Sequence, residues 1–434
     1  MNKFERSAYT MNNSIVIRSE LENSSPEEGE EEYITTTTSP TSSSSTSYVE
    51  DPRMVIMKDT AFTICRKFLT GSWKKISLNE MQFQRVSGGL TNVLFKCSLP
   101  QHLVSNDEPS QVLLRIYGQL KTDQDSVQEK ENKVTESLIF MLLSERNLGP
   151  KLHGIFPGGR LEEFIPAQSL NVLDLRDAKL SSTIARKLAH IHTLDVPITK
   201  EPTWLPEQML EWCKVVQQYD LSMVKEESRL IARNLINIDF ESELRWLQKF
   251  LLRCKSPVVF SHNDLHEGNI LIPDSKSPNM NGRMRKLSST CRSGKEQIIF
   301  IDFEFCSYNY RGYDFANHFC EWAVDYTYPN HPYFSLKWGE LPSEQEKRFF
   351  IREYLSALDE NRKNPEIDNE EHILNEANHF MLASHLFWTL WCINMSTTSE
   401  IAFGYLEYGA ERYNRYLRDK ALFLQNPSCD LDNL

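Results

Sequence analysis

The chain has 434 residues, 40% of them hydrophobic and 11% aromatic, with a formal net charge of −12. That length suits about two to three domains, and the acidic balance argues against a nucleic-acid partner, which demands a basic face or stripe. No apolar run reaches the ~18 residues of a membrane span, the N-terminus lacks the layout of a secretory signal, and nine scattered cysteines without a C-x-x-C pair suggest neither a disulfide framework nor a zinc site, so a reducing, cytoplasmic setting is expected.

Residues 1–51 hold an acidic block, Glu27 to Glu32, and a Ser/Thr run from Thr35 to Ser47. Such a stretch buries too little apolar surface to offset its ordering entropy and is expected to be a disordered tail. Folded sequence begins near Pro52. Residues 55–69 have helical apolar spacing. The runs 83–86 and 93–97 flank Ser87-Gly88-Gly89-Leu90-Thr91-Asn92, which reads as a hairpin around a Gly-Gly turn. Residues 112–117 form a third strand, 125–143 a helix, and 152–156 with 160–165 a strand pair across Pro157-Gly-Gly159. These elements predict an N-terminal lobe, 52–165, built on a small antiparallel sheet.

From residue 166 to 434 the pattern turns mainly helical, with amphipathic stretches at 178–194, 206–219 and 240–254 and a further helical region from 314 to 423. Two short apolar strands, 257–260 and 298–301, each run straight into a polar motif. Between those motifs lies a basic, polar insert, 274–297, expected to be a flexible surface loop. The fold class is therefore α+β and two-lobed, with a larger helical C-terminal lobe.

The two polar motifs are Ser261-His-Asn-Asp-Leu-His-Glu-Gly-Asn269 and Ile301-Asp-Phe-Glu304. Asp264 and Asn269 are five apart in a loop leaving a buried strand, and Asp302 ends the next strand. A lone Asp at a strand end is usually a turn or a cap. Two carboxylates and one amide at this separation instead match the needs of phosphoryl transfer: a base for the acceptor hydroxyl and oxygen ligands for magnesium.

Those motifs, with Ser307-Tyr-Asn-Tyr-Arg-Gly-Tyr-Asp314, Asn317-His-Phe-Cys-Glu-Trp322, Val112-Leu-Leu-Arg-Ile-Tyr-Gly118 and Ser384-His-Leu-Phe-Trp-Thr-Leu-Trp391, resemble the choline/ethanolamine kinase family, and in detail the choline kinases. The resemblance runs over nearly all the chain beyond residue 55. It implies a protein-kinase-like fold, ATP and Mg2+ as cofactors, choline as acceptor with ethanolamine as the alternative, and a homodimer. Residue by residue, it makes Asp264 the base and gives Asn269 and Asp302 to the metal. Arg115 takes the place of the strand lysine of protein kinases, with Glu136 as its partner. The loop Ser87 to Asn92 would cover the ATP phosphates, Glu163, Phe164 and Ile165 would be the adenine-binding hinge, and His266 would join the nucleotide side. Tyr326, Trp388, Trp391, Phe403 and Tyr408 would line the amine pocket, with Glu304 and Glu321 nearby. An aromatic box suits a quaternary ammonium, which donates no strong hydrogen bond and is held by ring faces.

Three positions depart from the family's pattern. His266 stands where Gln is usual, Phe305 where Tyr is common, and Ala402 where many members carry an acid. The expected effect is on amine binding or selectivity, because none of the three is Asp264, Asn269 or Asp302. The lack of G-x-G-x-x-G, H-R-D, D-F-G and A-P-E argues against a protein kinase. The alternative of another class is a catalytically weak family member serving as a dimerisation partner.

Overall fold

The structure is a computed structural model that describes residues 52–86, 92–105, 108–117, 127–274, 298–399 and 401–425. The N-terminal tail, residues 87–91 of the loop expected to cover the ATP phosphates and all but the first residue of the 274–297 insert lie outside the described residues.

The N-terminal lobe opens with helix α1 (Pro52–Phe68) and continues into a five-stranded sheet. Its strands are β1 (Gln82–Val86), β2 (Asn92–Ser98), β3 (Gln111–Tyr117), β4 (Leu152–Phe156) and β5 (Gly159–Glu163), in the order β1-β2-β3-β5-β4. All pairs are antiparallel, and the register sets Arg115 of β3 directly opposite Arg160 of β5. Alternation turns Cys97, Val112, Leu114 and Leu161 into a core shared with Ala61, Cys65 and Trp73, as a half-buried strand face requires. The long helix between β3 and β4, α2 (Val127–Glu145), packs its apolar face elsewhere. Ile139, Phe140 and Leu143 join Phe260, Leu265, Phe300 and Phe303 of the other lobe, so α2 bridges the two halves.

Beyond β5 the chain passes through a short strand, β6 (Ala167–Ser169), which pairs with β8 (Ile270–Pro273), itself paired with β9 (Ile299–Phe300). Strand β7 (Val258–Ser261) pairs with β10 (Ser307–Tyr310). These ribbons carry the polar motifs. Around them stand α3 (Ala178–His192), α4 (Trp204–Gln217), α5 (Arg229–Ile236), α6 (Phe240–Leu252), α7 (Arg311–Glu321), α8 (Glu344–Ala357), α9 (Glu370–Thr398) and α10 (Tyr405–Leu424). Their ends carry local signals: Asp177 accepts from the amides of Lys179 and Leu180 at the start of α3, and Ser343 with Glu346 forms a capping box on α8, each satisfying otherwise orphaned amides.

Helix α9 is buried on nearly every face from Ile373 to Ile393, the pattern of a central core helix rather than a surface one. It packs on α7, α4 and α10. Helix α7 begins at Arg311, slightly before the expected helical region, because Arg311 is buried and paired with Glu376 and Asp368. The region expected to be helical throughout is interrupted by a two-residue strand pair, β11 (Val324–Asp325) with β12 (Ser335–Leu336). Seven cysteines among the described residues are buried free thiols. No helix among the described residues is long and apolar enough to cross a membrane.

Candidate active site

The loop from β7 to β8 is held by one buried carboxylate. Asp314 of α7 accepts the backbone N–H groups of His262 (2.8 Å) and Asn263 (2.6 Å), and its Oδ2 lies 2.9 Å from His192 Nε2. The other ring nitrogen of His192 meets the Tyr354 hydroxyl at 2.9 Å. Burial alone would push the Asp314 carboxyl up, but the His192 bond and the His262 contacts outweigh it and hold it below the usual range. Asn263 sits at φ 65°, a left-handed conformation that Asn tolerates better than most residues. Its amide is anchored to the Phe305 carbonyl, Ser307 Oγ and Asn309 Nδ2, each at 2.8 Å. The residue before Asp264 is therefore locked on both its backbone and its side chain.

Asp264 follows with its carboxyl partly open to solvent. The Asn269 side chain donates to its carbonyl (2.9 Å) and to Oδ2 (3.2 Å), which turns the Asn269 amide oxygen away from Asp264. The Asp264 N–H donates to His262 Nδ1 at 3.3 Å, leaving Nε2–H of that ring to donate to the Ile301 carbonyl at 3.1 Å. Burial, which lowers the His262 pKa, agrees with this neutral tautomer. Burial also pushes the Asp264 carboxyl up to about 7, near the operating pH where a general base works best.

The Ile301 N–H bonds the Asn269 carbonyl at 3.0 Å, bringing Asp302 beside Asn269. Asp302 is itself at φ 63°, a strained conformation of the kind concentrated at functional sites. Glu304, two residues on, is pushed up to about 8 by burial and then by the Asp302 charge. Among the described residues no three His, Cys, Asp or Glu side chains gather into a metal cage. One carboxylate and one amide oxygen are a hard, incomplete donor set, which suits Mg2+ completed by phosphate and water oxygens.

The expected Arg115–Glu136 pair does not form. Arg115 directs Nε to Glu162 Oε1 (3.3 Å) and Nη1 to Asp302 Oδ1 (3.2 Å), while Glu136 binds Arg160 Nη1 at 2.5 Å. Arg160 Nε in turn reaches the second oxygen of Glu162, at 3.1 Å. The physical reason is the sheet register: Arg160 stands opposite Arg115 on the next strand and lies between Arg115 and helix α2. Both guanidinium groups are buried, which opposes their charge, but the flanking carboxylates outweigh that cost and raise both pKa values.

At the hinge, the Glu163 N–H donates to the Lys151 carbonyl at 2.7 Å, and its side chain accepts the Lys151 N–H at 2.9 Å. The Lys96 ammonium lies 4.3 Å from the Phe164 ring centre. Because β6 pairs with β8, the segment Glu163–Phe164–Ile165 joins the sheet to the strand that leaves the Asp264 loop. Residues 87–91 lie outside the described residues; the flanking strands β1 and β2 pair antiparallel.

On the other side of Asp264 the predicted aromatics gather, in a continuous arc. The Tyr326 ring centre lies 5.9 Å from His266 and 6.4 Å from Phe403, Phe403 lies 5.0 Å from Tyr405, and Tyr405 5.7 Å from Trp391. Trp391 meets Trp388 edge-on at 5.2 Å, and Trp388 meets Phe305 at 6.0 Å. Tyr408 backs the arc, its hydroxyl 2.9 Å from that of Tyr326. Trp388 is fixed by its indole N–H, which donates to Asn317 Oδ1 at 2.7 Å. Both ends of the arc therefore return to the Asp264 loop, through His266 and through Phe305, whose carbonyl Asn263 holds.

Glu321 is not a free acid facing this arc. Arg412 donates to it at 3.3 Å and the Tyr326 hydroxyl at 2.8 Å, so it orients aromatic walls. His266, expected on the nucleotide side, also meets the ring of Tyr326, one of the residues expected to line the amine pocket. Burial opposes a charge on the His266 ring, and the carboxylates of Asp264 and Glu267 outweigh that and raise its pKa. The Gly268 N lies 3.1 Å from Nδ1, and Nε2 lies 3.9 Å from Asp264 Oδ2. Ala402 is exposed beside Phe403, so the acid missing there leaves a gap at the surface and not in the aromatic wall.

The family model for choline/ethanolamine kinase matches residues 83–417. A human choline/ethanolamine kinase is 39% identical over 364 residues, covering 83% of this chain and 85% of that protein. Choline kinase A2 of Caenorhabditis elegans is 37% identical over 384 residues, covering 84% and 86%. Among solved structures, a choline kinase from Cryptosporidium parvum matches with a TM-score of 0.64 at 27% identity, over 84% of this chain and 96% of that one.

Proposed function

From the premise that the chain belongs to the choline/ethanolamine kinase family, we propose that its acceptor is choline, which it converts to phosphocholine with ATP. Kinase activity with ATP and Mg2+ is the family's chemistry; the choice of amine and the residue roles are our reading. The observation that carries it is the aromatic arc closing at both ends on the Asp264 loop. A trimethylammonium group set among those rings is held by their faces, and its two-carbon alcohol then extends toward Asp264.

Asp264 accepts the hydroxyl proton as the acceptor oxygen bonds to the γ-phosphorus and the bond to the β-phosphate oxygen breaks. Mg2+, when bound, offsets charge on the phosphate oxygens, and Asn269 and Asp302 are the residues that would hold it. Arg115 supplies a fixed cation beside Asp302, in the planar geometry that suits phosphate oxygens. At the hinge the Glu163 amide is already committed to Lys151, so the backbone of Phe164 and Ile165 is assigned to the adenine edge.

Ethanolamine is the weaker acceptor in this reading. A primary ammonium requires hydrogen-bond acceptors, and Glu321 is already engaged by Arg412 and Tyr326. The test is purified full-length protein with Mg-ATP and either choline or ethanolamine, beside Asp264→Ala. Phosphocholine formed with a higher kcat/KM than phosphoethanolamine is expected. The reverse preference defeats the choice of amine, no product from either defeats the enzyme reading, and equal activity in Asp264→Ala defeats the role of the base. The homodimer implied by the resemblance is checked by sedimentation of the same preparation.

A further inference from the structure

Five ionised side chains, Asp302, Arg115, Glu162, Arg160 and Glu136, run in alternating sign from the proposed metal site to helix α2. They come from the strand end after β9, from β3, from β5 twice, and from α2. Arg115 and Arg160 face each other across adjacent strands, an arrangement that repels unless something lies between. Glu162, two residues from Arg160 and so on the same face of β5, supplies that: one carboxylate oxygen goes to each arginine. The side chains of Arg160 and Glu162 are 1% and 2% exposed.

A buried ion network is weak support for stability, since apolar residues of similar volume serve a core as well. What the charges fix is direction. With Nε of Arg115 held by Glu162, its Nη1 edge is aimed at Asp302. The far end of the chain is tied to the same place by packing. The Arg160 guanidinium lies 4.2 Å from the Phe140 ring centre on α2, and Phe140 meets Phe303, the neighbour of Asp302, edge-on at 6.5 Å. Helix α2 thus reaches Asp302 by two routes, one ionic and one apolar, and Arg160 belongs to both.

We propose that Arg160 and Glu162 are positioning residues for the nucleotide–metal half of the reaction, setting Arg115 against Asp302 according to where α2 sits. The inference rests on the roles given above to Arg115 and Asp302. It assigns to β5 the coupling that a direct Arg115–Glu136 pair would otherwise have made. The acceptor arc shares none of these five residues, so the effect is confined to one substrate.

The experiment uses the full chain and the variants Arg160→Met, Glu136→Gln and both together, measuring KM for Mg-ATP, the Mg2+ requirement, KM for choline, Mg-ADP binding by calorimetry and Tm. Each single variant should weaken the nucleotide and Mg2+ constants about 3- to 30-fold, the span of coupling through such networks, with KM for choline moved by less than about twofold. The double variant should be no weaker than the worse single, since both break one chain. A purely structural role would lower Tm and leave the nucleotide constants of the folded fraction unchanged; that result, or an equal rise in both substrate constants, overturns the proposal. Glu136→Gln stands at the outer end, with 16% of its side chain exposed, and keeps the test decisive should Arg160→Met fail to fold. Asp302→Ala separates the underlying reading: a wild-type Mg2+ response in that variant would remove the metal-site assignment itself, whatever Arg160 does.

Discussion

On the proposed roles, the nucleotide side and the acceptor side of this site hold opposite charges by opposite means. Toward the phosphates, the protein sets ionised groups in alternation, buried and mutually paired, so that Arg115 stays charged in a place where a lone guanidinium would be costly. Toward the amine, the wall is rings, and Glu321 beside Tyr326 is paired with Arg412. A polyanion with metal needs directional donors at fixed points. A quaternary ammonium has no donor to satisfy, and a shaped aromatic surface avoids setting a buried unpaired acid against it.

If that division is correct, the two halves fail differently. The largest effect should come from the group between them: Asp264→Ala is expected to lower kcat by about 10²- to 10⁴-fold, the range for loss of a general base, while both Michaelis constants stay near wild type. A parallel collapse of ATP binding would show that Asp264 belongs to the nucleotide half instead.

Next in size, Trp391→Leu keeps apolar volume but removes the ring face. A desolvated cation–π contact of about 2 kcal/mol corresponds to about a thirtyfold rise in KM for choline, with KM for ATP unchanged. Steady-state kinetics on both amines checks it; an equal loss on ethanolamine would mean that the ring contributes only shape. A smaller effect is expected at His266, the departure from the family's usual Gln. Because its ring lies against Tyr326, His266→Gln should shift KM for choline more than KM for ATP, within the about 0.5–1.5 kcal/mol typical of an aromatic pair. A change confined to ATP would return His266 to the nucleotide side.

The smallest expected effect at neutral pH is on the scaffold. Burial holds His318 down to about 4 and His385 to about 3. Between those values and the ordinary imidazole pKa of about 6.5, the unfolded chain binds protons that the folded one refuses, so stability falls as pH drops from about 6.5. The depressed carboxyl of Asp314 adds to the loss at still lower pH, because its stabilising contribution disappears on protonation. The raised carboxyls of Asp264 and Glu304 act the other way over the same range, so the histidine contribution is read by difference: thermal melts from pH 7 to pH 4 should show a smaller loss of Tm in His385→Gln than in the wild type, and parallel profiles would contradict the burial of that ring as a neutral species.

The same contrast explains how much of the site was legible in the sequence. Asp264, Asn269 and Asp302 were expected from their separation within short motifs, whereas the Trp388/Trp391 helix was expected from the resemblance, because three-residue spacing sets both rings on one face but by itself equally means core packing. The partner of Arg115 could not be read that way. Choosing between Glu136 and Glu162 requires the register that puts Arg160 opposite Arg115. The clue present was Arg160-Leu-Glu162, two charges flanking an apolar residue in a strand, which alternation places on one face. Asp314 stood out only as the end of a matching motif, and His192 and Tyr354 not at all, since their bonds with one another and with the Asp264 loop join positions far apart in the chain. The β11–β12 pair was missed because two-residue strands carry no period to detect.

The arc of rings has one more consequence, for the order in which the protein becomes competent. The loop bearing Asp264, the strand bearing Asp302 and the groups that hold them, Asn309, Asp314 and Tyr354 among them, are all made by residue 354, but Trp388, Trp391, Phe403 and Tyr408 arrive only with the last two helices. On the proposed roles, a nascent chain therefore holds the phosphotransfer residues before it holds the rings assigned to the amine. The acceptor wall is the last part to be made, together with the helices that close the core around α9.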